Sequence, residues 1–498
     1  MSQRSTEQEF CTTRELLFSD VLISPMQRFL RLEIASSILL LATTGGALVW
    51  ANSFLSTTYH HFWNTTLSIC LGQHCHPHSV LHWVNDGLMA FFFFLVGLEI
   101  KREVLVGELS VFRVAFLPVV AALGGMIVPG LIYALFNQGT PAMAGWAIPM
   151  ATDIAFALGA LALLGKGLPV GLRIFLAAFA IADDLGAVVI IALFYTSELN
   201  GLALALAGCV LIAMAGVNFF RVSSTAPYAI LGFLLWLAVF HSGVHPTVAG
   251  VAAAMMIPAR GKMDFEFFFN QVKRIMQRVK GSKMQVCAWY SILMDPDYQD
   301  TVHDMKLACE KVETPLQRME HSIHPWVAFV ILPLFALGNA GLVVRGLPIV
   351  ESLTDPVTMG IALGLFIGKP VGIMLFAALA VSLNMASLPE SVEWKDMLGA
   401  AILGGIGFTM SLFVSGLSFT SPEMMIASKL GILAGSMLSA ACGLVVLQIV
   451  RRARHQAEPC PVEDSGSGLE NRDDSAGSSR QSGGTGFEAG EDRSRSSL

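Results

Sequence analysis

Apolar runs of membrane-spanning length recur along almost the whole chain, and they restrict its fold more than any other feature. They lie near 34–54, 84–100, 114–136, 144–164, 172–195 and 202–219, then as a shorter pair at 228–240 and 244–257. Four more follow at 327–344, 358–381, 398–419 and 427–450. A hydrocarbon core about 30 Å thick takes roughly 20 helical residues to cross, a length most of these runs approach. Inside lipid only helices and closed barrels satisfy every backbone polar group, and barrel strands would read as short alternating segments, which these are not. The expectation is an all-α polytopic membrane protein with about twelve transmembrane helices. The first run lacks a small-residue cleavage site, so it reads as a retained helix rather than a signal peptide.

Composition agrees with this class. Of 498 residues, 54% are hydrophobic and only 14% charged, which is more apolar surface than one soluble core can hide. The 46 glycines fit membrane helices, where glycine is commoner than in soluble ones. The formal net charge of −6 says little, because much of it sits in a polar tail. No basic face with interleaved aromatics is present, which argues against nucleic acid as a partner and leaves membrane lipid as the expected one.

Loop charges orient the runs. Arg4, Arg14, Arg28 and Arg31 precede the first, and no Lys or Arg lies between residues 55 and 79. Lys101, Arg102 and Arg113 follow, then a bare loop at 137–140. Lys166 and Arg173 come next, a bare 197–201, Arg221, a bare turn at 242–243, and a long basic loop from Arg260 to Arg318. Arg451, Arg452 and Arg454 close the series. This alternation fits the positive-inside rule with both termini cytoplasmic, Arg345 and Lys429 being exceptions. The chain divides into a cytoplasmic segment (1–30), helices 1–8 (31–257), a cytoplasmic insert (258–320), helices 9–12 (321–450) and a tail (451–498). The insert mixes apolar and charged residues at helical spacing, as in Val272-Lys273-Arg274-Ile275, and reads as short amphipathic helices, with docking on the membrane surface as a second reading. From about Pro461 the tail lacks large apolar residues and is expected to be disordered.

Of eight cysteines, two fall in an exterior stretch, Cys70 to His78, which also carries His74 and His76, with His60, His61 and His82 nearby. A local disulfide or free thiols is the plain reading of that stretch, and a transition-metal site the alternative.

The chemistry lies in four ionisable residues within the runs: Asp153, Asp183, Asp184 and Lys369. On the most lenient insertion scale each costs roughly 2.5–3.5 kcal/mol at the bilayer centre, so each needs partners and a reason. Asp183 and Asp184 are adjacent, flanked by Ala180-Ile181-Ala182 and Leu185-Gly186-Ala187. Successive helical residues point about 100° apart, so one carboxylate can face an aqueous cavity while the other addresses a neighbouring helix. Alkali cations prefer oxygen ligands, and two close carboxylates hold a first proton more tightly. The same groups then take either a cation or protons, a sufficient basis for exchange. Asp153 follows Pro149, which removes a backbone donor and breaks the helix, and Gly404-Gly405-Ile406-Gly407 weakens the run at 398–419 in the same way. The two broken runs are the middle members of three-helix groups, 114–195 and 358–450, a pointer to a transporter binding site. Asp153 is expected to offset the half-helix ends at the first break and Lys369 those at the second; a kink at Pro370 with a snorkelling lysine is the bland alternative.

At these residues the chain resembles the NhaA family of sodium/proton antiporters. The matching strings are 94–103, ending in Glu99-Ile100-Lys101-Arg102-Glu103; 145–159, containing Pro149-Met150-Ala151-Thr152-Asp153; and Ile181-Ala182-Asp183-Asp184-Leu185-Gly186. Further along are Ser242-Gly243-Val244-His245, Ile367-Gly368-Lys369-Pro370-Val371-Gly372 and Gly405-Ile406-Gly407-Phe408-Thr409-Met410-Ser411. The strings run in family order from about residue 26 to 450. The resemblance implies inverted three-helix repeats with two interrupted crossing helices, an architecture already described for this family. It implies a transporter rather than an enzyme, without a cofactor, that exchanges sodium for protons in the bacterial inner membrane, with lithium acceptance and a homodimer left open. It makes Asp184 the main cation and proton site and Asp183 a group alternating between that site and an ion pair with Lys369. Thr152 and Asp153 belong to the unwound fourth helix. Glu99, Arg102, Glu103, His245, Glu320, His321 and His324 match positions linked to pH response, and histidine titrates in the right range. The insert before His321, the Cys/His-rich loop and the tail depart from the family pattern. A symporter or channel on the same architecture, or an intramembrane aspartyl protease, are the alternatives. The protease would want its two aspartates on different helices and lacks a Gly-x-Gly-Asp string here.

Overall fold

The computed structural model describes residues 25–71, 74–165, 167–196, 199–260, 265–281, 296–345 and 348–457. The segment before residue 25, the middle of the insert and the tail expected to be disordered lie outside the described residues. Among those described, eight helices are long and apolar enough to cross a membrane: Ile34–Asn52, Val114–Asn137, Pro141–Leu163, Val170–Phe194, Gly201–Phe219, Pro315–Asn339, Pro356–Ser382 and Pro422–Arg454. A bent pair, Trp394–Gly404 and Phe408–Ser418, meets at 43° and makes a ninth. About twelve is reached only by adding three shorter apolar helices, Met89–Leu105, Ala226–Phe240 and Pro246–Met256. At 1.5 Å per residue the last two are only about 22 and 16 Å long, which is why length alone does not make them spans.

Small residues set how these helices pack. The helix Phe112–Asn137 lies along Pro356–Ser382 in the opposite direction: Gly124 faces Gly372, Pro129 faces Gly368, Tyr133 faces Gly360, and Asn137 Nδ2 donates to the Pro356 carbonyl at 3.1 Å. These are the first helices of the two three-helix groups, and opposite directions are what inverted repeats produce. A Cβ at Gly124 would stand 2.3 Å from the Gly372 carbonyl oxygen, so the two backbones touch. Without a hydrophobic drive between helices in lipid, such small-residue contacts carry much of the association. Gly250 likewise lies against the Ala90 carbonyl, joining Pro246–Met256 to Met89–Leu105.

The large core gathers around the interrupted helices. A second cluster unites Gly201–Phe219, Ala226–Phe240 and Pro246–Met256 through Met214, Tyr228, Leu235 and Ala253, and borrows Leu98 and Leu316 from neighbours. Leu135, Leu193, Ile212, Phe219 and Ile449 point outward and are exposed, as a lipid-facing surface requires but a soluble one would not tolerate.

Two parts of the chain lie outside the bundle. Thr66–Leu71 and His74–Ser79 form an antiparallel hairpin with Cys70 opposite Cys75, a small β element not foreseen in an all-α reading. The cysteine side chains lie outside the described residues. In the insert, Phe265–Gly281 and Pro296–Val312 pack against one another as the expected short helices. The chain then re-enters through Thr314, which caps a helix starting at Pro315, well before the apolar run at 327.

The Gly124 contact makes a test of this packing. Gly124→Ala should lower the melting temperature of detergent-purified protein, overpacking of this kind costing typically 1–3 kcal/mol. Gly208→Ala, where an added Cβ meets nothing within 4 Å, should leave it unchanged or raise it, since alanine favours a helix by at most about 1 kcal/mol over glycine. Equal melting of the two variants would contradict the close approach.

Candidate ion-binding site

Two breaks create the site. In the first, a tightly wound helix Pro141–Met150 ends at an extended stretch, Ala151 to Asp153, before the helix Ile154–Leu163 begins. Pro149 cannot donate to the ladder, and Asp153 restarts the helix as its N-cap, its Oδ1 accepting from Phe156 N–H at 3.1 Å. In the second, Trp394–Gly404 and Phe408–Ser418 are parted by Gly405, Ile406 and Gly407. Both glycines are required by space: a Cβ at Gly405 would meet the Leu365 carbonyl oxygen at 2.4 Å, and one at Gly407 the Ala151 carbonyl oxygen at 2.8 Å.

The breaks cross and satisfy one another. Asp153 N–H donates to the Ile406 carbonyl at 2.7 Å, Thr152 Oγ1 to the Gly404 carbonyl at 3.0 Å, and Ser411 Oγ to the Ile148 carbonyl at 2.8 Å. Asp153 Oδ2 accepts from Thr409 N–H at 3.0 Å and from the Thr409 hydroxyl. One carboxylate thus sits at the N-termini of both second half-helices, where the peptide dipoles are positive.

Lys369 departs from the expectation. Its ammonium donates to the Met150 carbonyl, at the C-terminal end of the half-helix that leads into the first break rather than the second. The reason is packing: Gly364 on the same helix lies against Pro149, which brings Lys369 under the end of the first half-helix. At the second break the Gly404 and Ile406 carbonyls are served instead by the neutral Thr152 and Asp153 donors. Lys369 Nζ also lies 2.8 Å from Asp183 Oδ2, with both side chains buried. Pro370 falls in the first turn of the helix Lys369–Ser382, after a wide turn at Gly364–Gly368.

Asp183 and Asp184 share the helix Val170–Phe194, 1% and 0% exposed. Neither oxygen of Asp184 has a hydrogen-bond partner among the described residues. A carboxylate without partners in such a place costs several kcal/mol if charged.

Five of the seven residues linked by resemblance to pH response come together. Glu99, Arg102, Glu103, Glu320 and His324 line a funnel of about 280 Å³ that reaches Asp153 and Thr409. Arg102 pairs with Glu320 and, at 3.1 Å, with Glu103. His321 is exposed and pairs with Glu313 at 3.4 Å, outside the funnel. His245 is also apart: it lines a separate cavity with His82 and Asp86, its Nε2 3.9 Å from Asp86 Oδ1 and its ring 5.5 Å from that of Phe413. His82, on the rim of that cavity, has its pKa lowered by burial. Among the described residues no group of three or more His, Cys, Asp or Glu is disposed to hold a metal ion. Reading the sequence missed Thr409 and Asp86 as site residues. Thr409 stands two residues after the Gly-rich break, and Asp86 is a carboxylate inside the apolar run at 84–100, so both left a signal.

Comparison with known proteins extends these observations. The chain matches the family model described as Na+/H+ antiporter 1 over residues 27–447. It is 47% identical over 429 residues to the Na(+)/H(+) antiporter NhaA of Koribacter versatilis, covering 86% of this chain and 92% of that protein. It is 46% identical over 433 residues to the Na(+)/H(+) antiporter NhaA of Acidithiobacillus ferrooxidans, covering 87% and 99%. A protein named Na(+)/H(+) antiporter NhaA 2 from Syntrophotalea carbinolica is 46% identical over 423 residues, covering 85% and 96%.

The Lys369–Asp183 geometry is testable without any transport assay. Removing one member of a buried pair leaves the other charge uncompensated, typically at a cost of 3–5 kcal/mol. Lys369→Gln should therefore melt far below wild type, whereas Asp183→Asn/Lys369→Gln should recover much of the loss. A double variant melting as low as the two single losses summed would mean that the two residues act independently.

Proposed function

The chain belongs to the Na+/H+ antiporter 1 family, and from that premise we propose that Asp184 is where sodium and protons compete. The protein exchanges sodium for protons across its membrane, and as a transporter it needs no cofactor. The observation that carries the site assignment is the fully buried Asp184 carboxylate with no hydrogen-bond partner among the described residues, one residue from the Asp183–Lys369 pair.

The physical logic runs through charge. With protons bound, Asp184 is neutral and its burial is cheap. A sodium ion brings its own positive charge, restores neutrality with the ionised carboxylate, and so displaces a proton. Asp183 supplies the second oxygen-bearing group: released from Lys369 it becomes a cation ligand, and held by Lys369 it is compensated while the site carries protons. Thr152 and Asp153 hold the crossing in shape. The broken helices let backbone carbonyls and half-helix ends face the ion, which unbroken helices would not. The funnel bounded by Glu99, Arg102, Glu103, Glu320 and His324 gives access from the cytoplasm, and titration there tunes entry; this is the pH-responsive element. His321 and His245 lie outside it, beside Glu313 and Asp86.

Met89–Leu105, Ala226–Phe240 and Pro246–Met256 bring the spans to twelve, both termini lie in the cytoplasm, and the bilayer is the bacterial inner membrane. Proton influx drives sodium efflux, and lithium, a smaller alkali cation with the same preference for oxygen, is carried too.

Asp184→Asn keeps the shape of the side chain and removes its ability to exchange charge for a proton. Reconstituted with imposed sodium and pH gradients, this variant should show no sodium-dependent proton movement above protein-free vesicles, while its melting temperature stays at or above that of wild type. Exchange at a near-wild-type rate would remove Asp184 from the site.

A further inference from the structure

We infer that the first helix of the insert, Phe265–Gly281, docks by one face on the anionic cytoplasmic leaflet of the protein's own membrane. Its apolar face is only half covered. Ile275 is 4% exposed and Ala308 of the neighbouring helix Pro296–Val312 is fully buried, so one edge of that face meets the partner helix. Phe269 and Met276, seven residues apart and therefore about 20° apart around the helix, are 61% and 48% exposed. Lys273 lies three and four residues from them, on the same side. Phe267, also exposed, sits on roughly the opposite side.

Charge selects the occupant. Phe265–Gly281 carries four basic residues, Lys273, Arg274, Arg278 and Lys280, against the single acidic Glu266. The partner helix Pro296–Val312 is acidic on balance, with Asp297, Asp300, Asp304 and Glu310 against Lys306 and Lys311. A basic helix with an open apolar edge fits an anionic lipid surface, where each cation and each buried apolar group adds to binding.

The tether keeps that surface within reach. Eight residues separate Met256 from Phe265, a span of at most about 32 Å when fully extended. Met256 itself lies at the cytoplasmic end of its helix, where Lys101 donates to the Met255 carbonyl at 2.6 Å. A tether of that length keeps the leaflet within reach of the insert, which leads through Thr314 into the helix bearing Glu320 and His324. This inference rests on the membrane orientation proposed above, but its test reads lipid contact rather than exchange.

A fluorescent non-natural side chain is placed at residue 269, 276 or 267 in turn, in the full chain reconstituted into vesicles. With brominated lipids and phosphatidylglycerol present, emission from 269 and 276 should shift to the blue and be quenched, and emission from 267 should not. Vesicles of phosphatidylcholine alone, high salt, or Lys273→Glu with Arg274→Glu should each restore the emission. The inference is overturned if 269 and 276 stay unquenched, whether they face water or a second copy of the chain revealed by energy transfer between labelled protomers. It is equally overturned if 267 is quenched as strongly, or if quenching ignores lipid charge. Exchange activity in the same vesicles reports separately on the proposed transport function.

Discussion

Two helix breaks in the middle of an apolar bundle leave backbone donors and acceptors where no water satisfies them, and the centre of this protein is organised around that constraint. Each unmet group in such a place costs energy comparable to a lost hydrogen bond or more. The breaks cross so that each serves the other: Asp153 N–H takes the Ile406 carbonyl, Thr152 the Gly404 carbonyl, and Ser411 the Ile148 carbonyl. What the backbone cannot supply is supplied by charge. Asp153 lies where two half-helices begin, and Lys369 lies where one ends. These placements put fixed charges at the centre of the bundle for structural reasons and prepare an electrostatic setting in which a further carboxylate is left without a hydrogen-bond partner among the described residues.

That further carboxylate is Asp184. Asp153 is saturated by Thr409 and Phe156, and Asp183 is held by Lys369, so neither is free to change charge at low cost. Asp184 has no hydrogen-bond partner among the described residues. A site that is costly when ionised and empty, and neutral with either a proton or sodium, favours exchange over simultaneous occupancy. The close contact of Gly124 with Gly372 locks the scaffold on which this depends, because Lys369 and Gly372 ride on one helix and Gly124 on the helix it packs against.

Much of this was legible in the residues. Pro149 and the run Gly404-Gly405-Ile406-Gly407 marked the breaks, and the adjacent Asp183 and Asp184 stood out as carboxylates that the structure buries beside them, because lipid makes charges and helix breakers conspicuous. What was not legible depended on which helix faces which. Lys369 was assigned to the wrong break, since its target is decided by Gly364 lying against Pro149, a contact between residues more than two hundred apart. That Asp153 caps two helices at once needed the position of Thr409. His245 shares with the funnel residues only a family position linked to pH response, and it faces Asp86 in a different cavity, because a family position does not say which cavity a side chain enters. The hairpin at 66–79 is short enough that its alternation was lost beside the long apolar runs.

Competition at a single buried site is the central claim, and equilibrium binding tests it most directly. Sodium binding to purified protein, followed by calorimetry in buffers of different ionisation enthalpy, gives both the apparent dissociation constant and the protons released. The account predicts release of protons on binding. It also predicts an apparent constant that weakens as pH falls, by about tenfold per pH unit for each proton displaced, and levels off at high pH once the site is ionised. A dissociation constant independent of pH, with no protons released, in protein that still exchanges sodium for protons in vesicles, would contradict it.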